Sequence, residues 1–155
     1  MHGRTLFIVC QVVLVMYTAD QPQAFNHAFD TVDHGVLLQR LLISHHINGQ
    51  TLDWIRSYLT GRCESVLYSG DTTSAVLVEY GVPQGSMLGQ LLFILYTSYV
   101  PRVINEYGLL SVVYADDTQI YIQVKQRDIP VAKVRVENCI EKVKQFLIRP
   151  TVTHG

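Results

Sequence analysis

Apolar positions recur along the chain at two periods, and the breaks between them outline the elements. Residues 12–17 are almost continuously apolar and read as a fully buried strand. Residues 30–42 bring Val36, Leu37, Leu41 and Leu42 round at helical spacing, and Gly49 ends that region. Thr51 is placed to cap a short helix that buries Leu52, Ile55, Tyr58 and Leu59 and stops at Gly61. Residues 64–68 and 75–80 are strand-like, and Ser69-Gly70-Asp71 between them is turn chemistry, so the spacing predicts a hairpin. Residues 81–85 are loop-forming, Ser86 can cap a helix from Met87 to about Val100, and Pro101 fits an ending there. Residues 109–114 read as a second buried strand. In 118–124, Ile120, Ile122 and Val124 share one face, and only Ala115, Asp116 and Asp117 separate the two segments. A last helix starts near Pro130 with Val136, Ile140, Val143 and Leu147 on its apolar face. No internal repeat, linker or low-complexity tract interrupts this order. Mixed helices and hairpins predict an α+β fold, an antiparallel sheet covered by helices on one face.

Composition narrows the class without naming a function. The 155 residues are 48% hydrophobic and 16% charged, a globular balance in a chain long enough to bury a core. The net charge of −1 gives no sign of a nucleic-acid partner, but its distribution is uneven. Residues 1–124 hold 5 Arg, no Lys and 10 acids, whereas residues 125–149 hold all seven remaining basic residues: Lys125, Arg127, Lys133, Arg135, Lys142, Lys144 and Arg149. Long-range attraction to phosphate would come from that end. The plainer reading is a solvated amphipathic helix. Cys10, Cys63 and Cys139 form neither a zinc spacing nor a disulfide framework, which suits a reduced intracellular setting, cytoplasm or nucleus. Residues 6–17, from Leu6 to Tyr17, are too few to span a membrane, and no membrane partner is expected. They resemble a signal-peptide core without a clean cleavage site, which keeps a secretory reading open beside the strand reading.

The most informative local chemistry is the pair Asp116-Asp117 at a hairpin tip. Alternate strand residues point to opposite faces, so one carboxylate projects over the sheet and the other partly aside. Adjacent like charges repel unless a cation lies between them, and Mg²⁺ favours such hard oxygen donors. Asp is also a common turn residue, so the pair alone decides little.

Three motifs in order give it context: Ala28-Phe29-Asp30-Thr31-Val32-Asp33-His34, Gly81-Val82-Pro83-Gln84-Gly85-Ser86-Met87-Leu88-Gly89 and Tyr114-Ala115-Asp116-Asp117-Thr118-Gln119-Ile120-Tyr121. With Leu59-Thr60-Gly61-Arg62, they closely resemble the central palm motifs of non-LTR (LINE-type) retrotransposon reverse transcriptases, over roughly residues 28–147. The resemblance implies a palm-type sheet with the RRM/ferredoxin-like core of polymerases, fingers and thumb largely absent. It implies an apolar segment at 1–19, a partial palm at 20–149 and a short tail at 150–155. It implies an RNA template, a DNA primer, deoxynucleotides and two Mg²⁺ ions as partners. Asp116 and Asp117 match the metal-binding pair. Phe29 matches the aromatic beside the incoming sugar, although a core Phe would read the same. Gln84 and Gly85 match the loop that touches the nascent base pair and template, where glycine permits close backbone approach.

The first motif departs from the family. Its catalytic Asp should precede the aromatic by five residues, and five before Phe29 stands Ala24, which cannot bind a metal. Asp20, Ala24 and Phe25 show the same spacing in a second register, with His27-Ala28-Phe29-Asp30 as an insertion of about one helical turn. Asp20 would then be the missing ligand and Phe25 the sugar gate. Gln90 also stands where the family generally has Pro. Three functions follow as expectations: RNA-directed DNA polymerisation, impaired or lost in this chain; a non-catalytic remnant that binds RNA or a partner weakly through residues 125–149; or a secreted product.

Overall fold

The computed structural model describes residues 5–13, 28–83, 85–114 and 117–148. Strand β1 spans Thr5–Val13, so extended chain begins seven residues before the expected start, and 14–17 lie outside the described residues. A 3₁₀ turn at Ala28–Thr31 precedes helix α1, His34–Ile43. The helix starts later than residue 30 because Asp33 is its N-cap: the side chain of Asp33 accepts a 2.8 Å bond from the Val36 amide. Helix α2, Gly49–Leu59, begins before Thr51, which sits inside its first turn rather than at its cap. Its buried face is Leu52, Ile55 and Leu59. The expected hairpin is broken into two short ladders. Strand β2 (Cys63–Glu64) pairs with β5 (Val76–Leu77), and β3 (Leu67–Tyr68) with β4 (Asp71–Thr72). Ser69 and Gly70 both take positive φ, 53° and 95°, the geometry of a two-residue turn between strands.

Helix α3 spans Met87–Thr97 and α4 spans Val100–Glu106. Pro101 therefore opens a helix instead of ending one. Its missing N–H falls in the first turn of α4, where no intrahelical partner exists anyway. Together Met87–Glu106 is long and apolar enough to cross a membrane by length and composition, yet 44% of its most apolar window is buried within the fold, as in a core helix. Strands β6 (Leu110–Tyr114) and β7 (Asp117–Lys125) follow, and after a 3₁₀ turn at Gln126–Asp128 comes α5, Ile129–Ile148.

The chain divides into two compact units. The first joins Met1–Ala28 with Thr97–Arg149. Its sheet has the order β1-β7-β6, antiparallel throughout, with Val9 and Leu110 both opposite Tyr121. Helix α4 lies against β6 and α5 against β7. On β7 the buried residues are Thr118, Ile120 and Ile122, alternate positions on one face. Cys139 and Ala132, both fully buried, share the core stripe of α5 with Val136, Val143 and Leu147, while Ile140 is only half-buried. The opposite face of the sheet is open. Leu110, Val112 and Tyr114 are 57%, 52% and 81% exposed, so β6 is an apolar edge strand and not the buried strand its composition suggests.

The second unit contains Phe29–Tyr96. Its core is set by Leu37, Leu41, Leu59, Leu92 and Tyr96 around a cation, Arg40, which is 1% exposed. The guanidinium lies 4.4 Å over the Tyr96 ring and its Nη1 donates to the Tyr96 carbonyl at 2.6 Å. Burial raises the Tyr96 phenol to about 12, against the opposing pull of the Arg40 charge. Burial also lowers Arg40 to about 10, so it stays charged at neutral pH. An ultraviolet tyrosinate titration should therefore show one of the nine tyrosines ionising last, near 12, and Tyr96→Phe should remove that step. The sign follows from the raised value. The neutral phenol is favoured in the folded state, so its contribution is complete below 10 and is lost as pH rises through 12. Absence of a late step would sink this assignment.

Candidate functional site

The two strands that flank the carboxylate pair meet at one end of the first unit's sheet. Tyr114 pairs with Asp117, leaving only Ala115 and Asp116 between β6 and β7, and those two lie outside the described residues. Asp117 is therefore the first residue of β7 rather than part of the connection. It is half-exposed. Thr118 is buried, so by alternation Asp117 lies on the open face. The last paired residue of β1, Val13, stands opposite Asp117. Val13, Asp117 and Tyr114 thus form one row across the three strands, and β1 delivers the chain to the carboxylate end of the sheet. Asp20 follows seven residues later, outside the described residues. Among the described residues no three His, Cys, Asp or Glu side chains converge to hold a metal. Two of the three expected ligands, Asp20 and Asp116, are not among those residues. The donor chemistry of Asp117, a carboxylate with hard oxygens on a half-exposed strand end, fits a divalent cation.

The second unit carries Phe29 and Gly85. Phe29 closes the 3₁₀ turn onto α3: its ring stacks on Phe93 with centroids 4.4 Å apart and planes at 29°. It is half-buried, so it retains an open side. Its carbonyl accepts from the Val82 amide at 2.9 Å, and Val32 accepts from the Gly81 amide at 2.8 Å. Asp33 bridges Tyr80. The turn after the first motif and the loop of the second are thereby stitched together, backbone to backbone. Gln84 lies outside the described residues. Gly85 has φ of +75° and nothing within 4 Å of where a Cβ would be. A left-handed backbone there favours glycine, and the space beside it is open. Close approaches of the chain to itself fall at other glycines. A Cβ on Gly81, at φ +86°, would sit 3.0 Å from the Asp30 Cα, and one on Gly89 would collide with the Pro83 carbonyl oxygen.

Ser86 explains the second collision. Its hydroxyl donates to Pro83 O and accepts from the Gly89 amide, both at 2.9 Å, so the first turn of α3 folds back on its own leading loop. The Tyr58 hydroxyl lies 3.2 Å away from Ser86 Oγ. Beside this stitch, a cleft of about 300 Å³ is lined by Asp30, Arg62, Glu64, Glu79, Tyr80 and Gly81. Sequence reasoning missed His34, Gly81 and Gly89, since their roles arise from partners distant in the chain or from caps that spacing alone does not reveal.

The basic stretch does not form one stripe. At 100° per residue, Lys133 and Lys144 flank one side of the buried face of α5 and Arg135 and Lys142 the other. Glu137 and Glu141 occupy the outward ridge between them, and Lys133 pairs with Glu137 at 3.8 Å. That is the charge pattern of a solvated amphipathic helix.

Residues 24–153 match the family described as reverse transcriptase (RNA-dependent DNA polymerase). The chain is similar to the RNA-directed DNA polymerase from mobile element jockey of Drosophila funebris, with 30% identity over 133 residues, 83% of this chain and 14% of that protein. It is 30% identical over 122 residues to the retrovirus-related Pol polyprotein from type-1 retrotransposable element R2 of Popillia japonica, covering 72% of this chain and 20% of that one. It is 36% identical over 94 residues to the probable RNA-directed DNA polymerase from transposon X-element of Drosophila melanogaster, 59% of this chain and 10% of the other. The chain spans between 10% and 20% of the length of these relatives.

Proposed function

Because the chain belongs to the reverse transcriptase (RNA-dependent DNA polymerase) family, we propose that its sheet is the palm-type core of a retrotransposon polymerase whose own catalysis is impaired or lost here. It is a partial domain of that family, of retrotransposon origin, of the kind that acts on a nucleic-acid template and nucleotides. The observation that carries the reading is the row Val13, Asp117, Tyr114, which puts a carboxylate at one end of an antiparallel sheet with helices packed against β6 and β7. In this reading Asp116 and Asp117 would hold a pair of Mg²⁺ ions, which when bound neutralise charge on the entering and leaving oxygens of nucleotidyl transfer. In the second register Asp20 would complete the ligand set; in the first, Ala24 leaves it incomplete. The run of β1 toward the carboxylate end supports that second register, because the strand leads the chain to the side where a third carboxylate is needed. In the first register Phe29 would lie beside the sugar of the incoming deoxynucleotide, in the second Phe25, and in both Gln84 and Gly85 would lie against the template base pair. The stitching of the Phe29 turn to the 81–82 backbone supports one shared face for these contacts.

Loss of catalysis rests on Ala24, which stands where the first register needs a carboxylate. A basic surface at residues 125–149 supports a second reading, a weak RNA- or partner-binding module, but Glu137 and Glu141 on the outward ridge of α5 count against phosphate. Primer extension on an RNA template with Mg²⁺ or Mn²⁺ separates the two. The expected result is no extended product above background. Extension that disappears in Asp116→Asn would overturn the loss and establish Asp116 as a working ligand.

A further inference from the structure

We propose that His34 is a positioning residue for the loop at residues 81–85, a side chain that sets where the Gly81 end of this loop stands against the Phe29 turn. The inference rests on the reading of Phe29 and Gln84-Gly85 as nucleotide- and template-facing. His34 is the first residue of α1 and 9% exposed. Its Nε2 lies 2.7 Å from the Gly81 carbonyl oxygen, 47 residues away in sequence. A carbonyl can only accept, so Nε2 carries the proton in this contact and donates.

Gly81 is held from three sides. Its amide donates to Val32 O at 2.8 Å, its carbonyl accepts from His34, and its Cα faces the backbone of Asp30 so closely that a Cβ would stand 3.0 Å from the Asp30 Cα. Val82 adds the bond to Phe29 O, and Tyr80 the bridge to Asp33. Every one of these other links is backbone to backbone and indifferent to side-chain identity. Against these backbone links, His34 supplies a side-chain donor to Gly81 that a substitution can remove. Gly81 is the hinge point of the loop, at φ +86°, and four residues later Gly85 turns left-handed again at +75°. Fixing the Gly81 carbonyl fixes the peptide plane that aims Val82 and Pro83. The opposite end of the loop is already tied by the Ser86 hydroxyl to Pro83 O. With both ends held, the loop keeps one position relative to the Phe29 ring, itself stacked on Phe93. The sugar-facing and base-facing contacts then form one pre-set surface, with no ordering left to the moment of binding.

Amide hydrogen exchange on the full chain tests this with two variants. His34→Leu removes the donor at similar bulk. His34→Gln keeps an N–H at comparable reach. The expected result is roughly tenfold faster exchange at residues 81–85 in the leucine variant, the loss of one buried hydrogen bond, with the amides of residues 52–59 in α2 unchanged. The glutamine variant is expected to stay within about twofold of the parent. Equal exchange in His34→Leu and the parent overturns the proposal, as does a glutamine variant as fast as the leucine one, which would make packing the cause. If the leucine variant loses protection throughout, His34→Asn takes its place: its amide is too short to reach Gly81, so it must loosen the loop for the proposal to stand. A separate arm adds a deoxynucleoside triphosphate with RNA template annealed to DNA primer to the parent. No added protection at residues 81–85 overturns the nucleotide-facing reading while leaving the role of His34 in the loop to the variants. Protection in the parent and His34→Gln but not in His34→Leu upholds both.

Discussion

Arg40→Ala is expected to destabilise the unit at residues 29–96 by about 3–4 kcal/mol, a large share of the roughly 5–15 kcal/mol that holds a domain folded. Three losses combine. The Tyr96 carbonyl, which accepts from Nη1 at 2.6 Å, is left buried without that charged donor. The cation no longer covers the Tyr96 ring, an attraction of about 1–2 kcal/mol where both are desolvated. The aliphatic stem, on a side chain only 1% exposed, leaves a cavity in the core. One gain opposes them, since burying the guanidinium is itself costly, as its lowered value of about 10 records. Arg40→Met separates the terms. It fills most of the volume without a charge, and a hydrophobic replacement for a buried ion can approach neutrality, so it should cost about half as much or less. Urea unfolding of both variants is the measurement. An alanine variant within about 0.5 kcal/mol of the parent, the range of an ordinary surface change, would mean that Arg40 behaves as a surface residue.

Arg40 also marks how far the pattern along the chain reaches. Periodicity located α1, α2 and α5, whose apolar stripes are long enough to be read at 3.6 residues per turn. It did not show that Arg40, three residues after Leu37 and one before Leu41, falls on the buried face and finds its partners on α3, 56 residues away. The helix expected from Met87 to about Val100 runs past the end of α3, because the break at Ser98 and Tyr99 leaves no signature in composition, and Pro101 opens α4 where it was expected to mark an end. Residues 109–114 were read as buried since an apolar run looks the same in a sheet centre and at an open edge. Exposure of Leu110 and Tyr114 is decided by what other segments cover, which no local window contains. Phe29, Gly85, Asp116 and Asp117 are candidates by motif resemblance, the two Asp also by their place at a hairpin tip. Spacing in sequence carries no distance, and the hydrogen bond that fixes Phe29 to Val82 spans 53 residues.

The glycines between residues 81 and 89 bring this to a test with a sign reversal. In the interior of a helix, Gly→Ala ordinarily stabilises by about 1 kcal/mol. Gly89→Ala in the first turn of α3 is expected to destabilise by about 3 kcal/mol, the upper end of the cost of overpacking, because the obstacle is backbone and cannot rotate away. The added methyl would meet Pro83 O and, at 2.9 Å, the Ser86 Oγ that caps the helix. Relief requires Pro83 to move outward, which breaks the Ser86 bond to Pro83 and frees the loop that holds Gln84 and Gly85. Gly85→Ala provides the control. Nothing lies within 4 Å of its Cβ, so only the left-handed φ of +75° is penalised, at about 1–2 kcal/mol. Urea midpoints should therefore fall in the order parent, Gly85→Ala, Gly89→Ala. Amide exchange at residues 85–90 should rise more in Gly89→Ala than in Gly85→Ala, since the former removes the cap and the latter only strains a turn. A Gly89→Ala variant as stable as the parent would show that α3 does not begin folded back on Pro83, and the loop would then lose the anchor that the Ser86 hydroxyl provides.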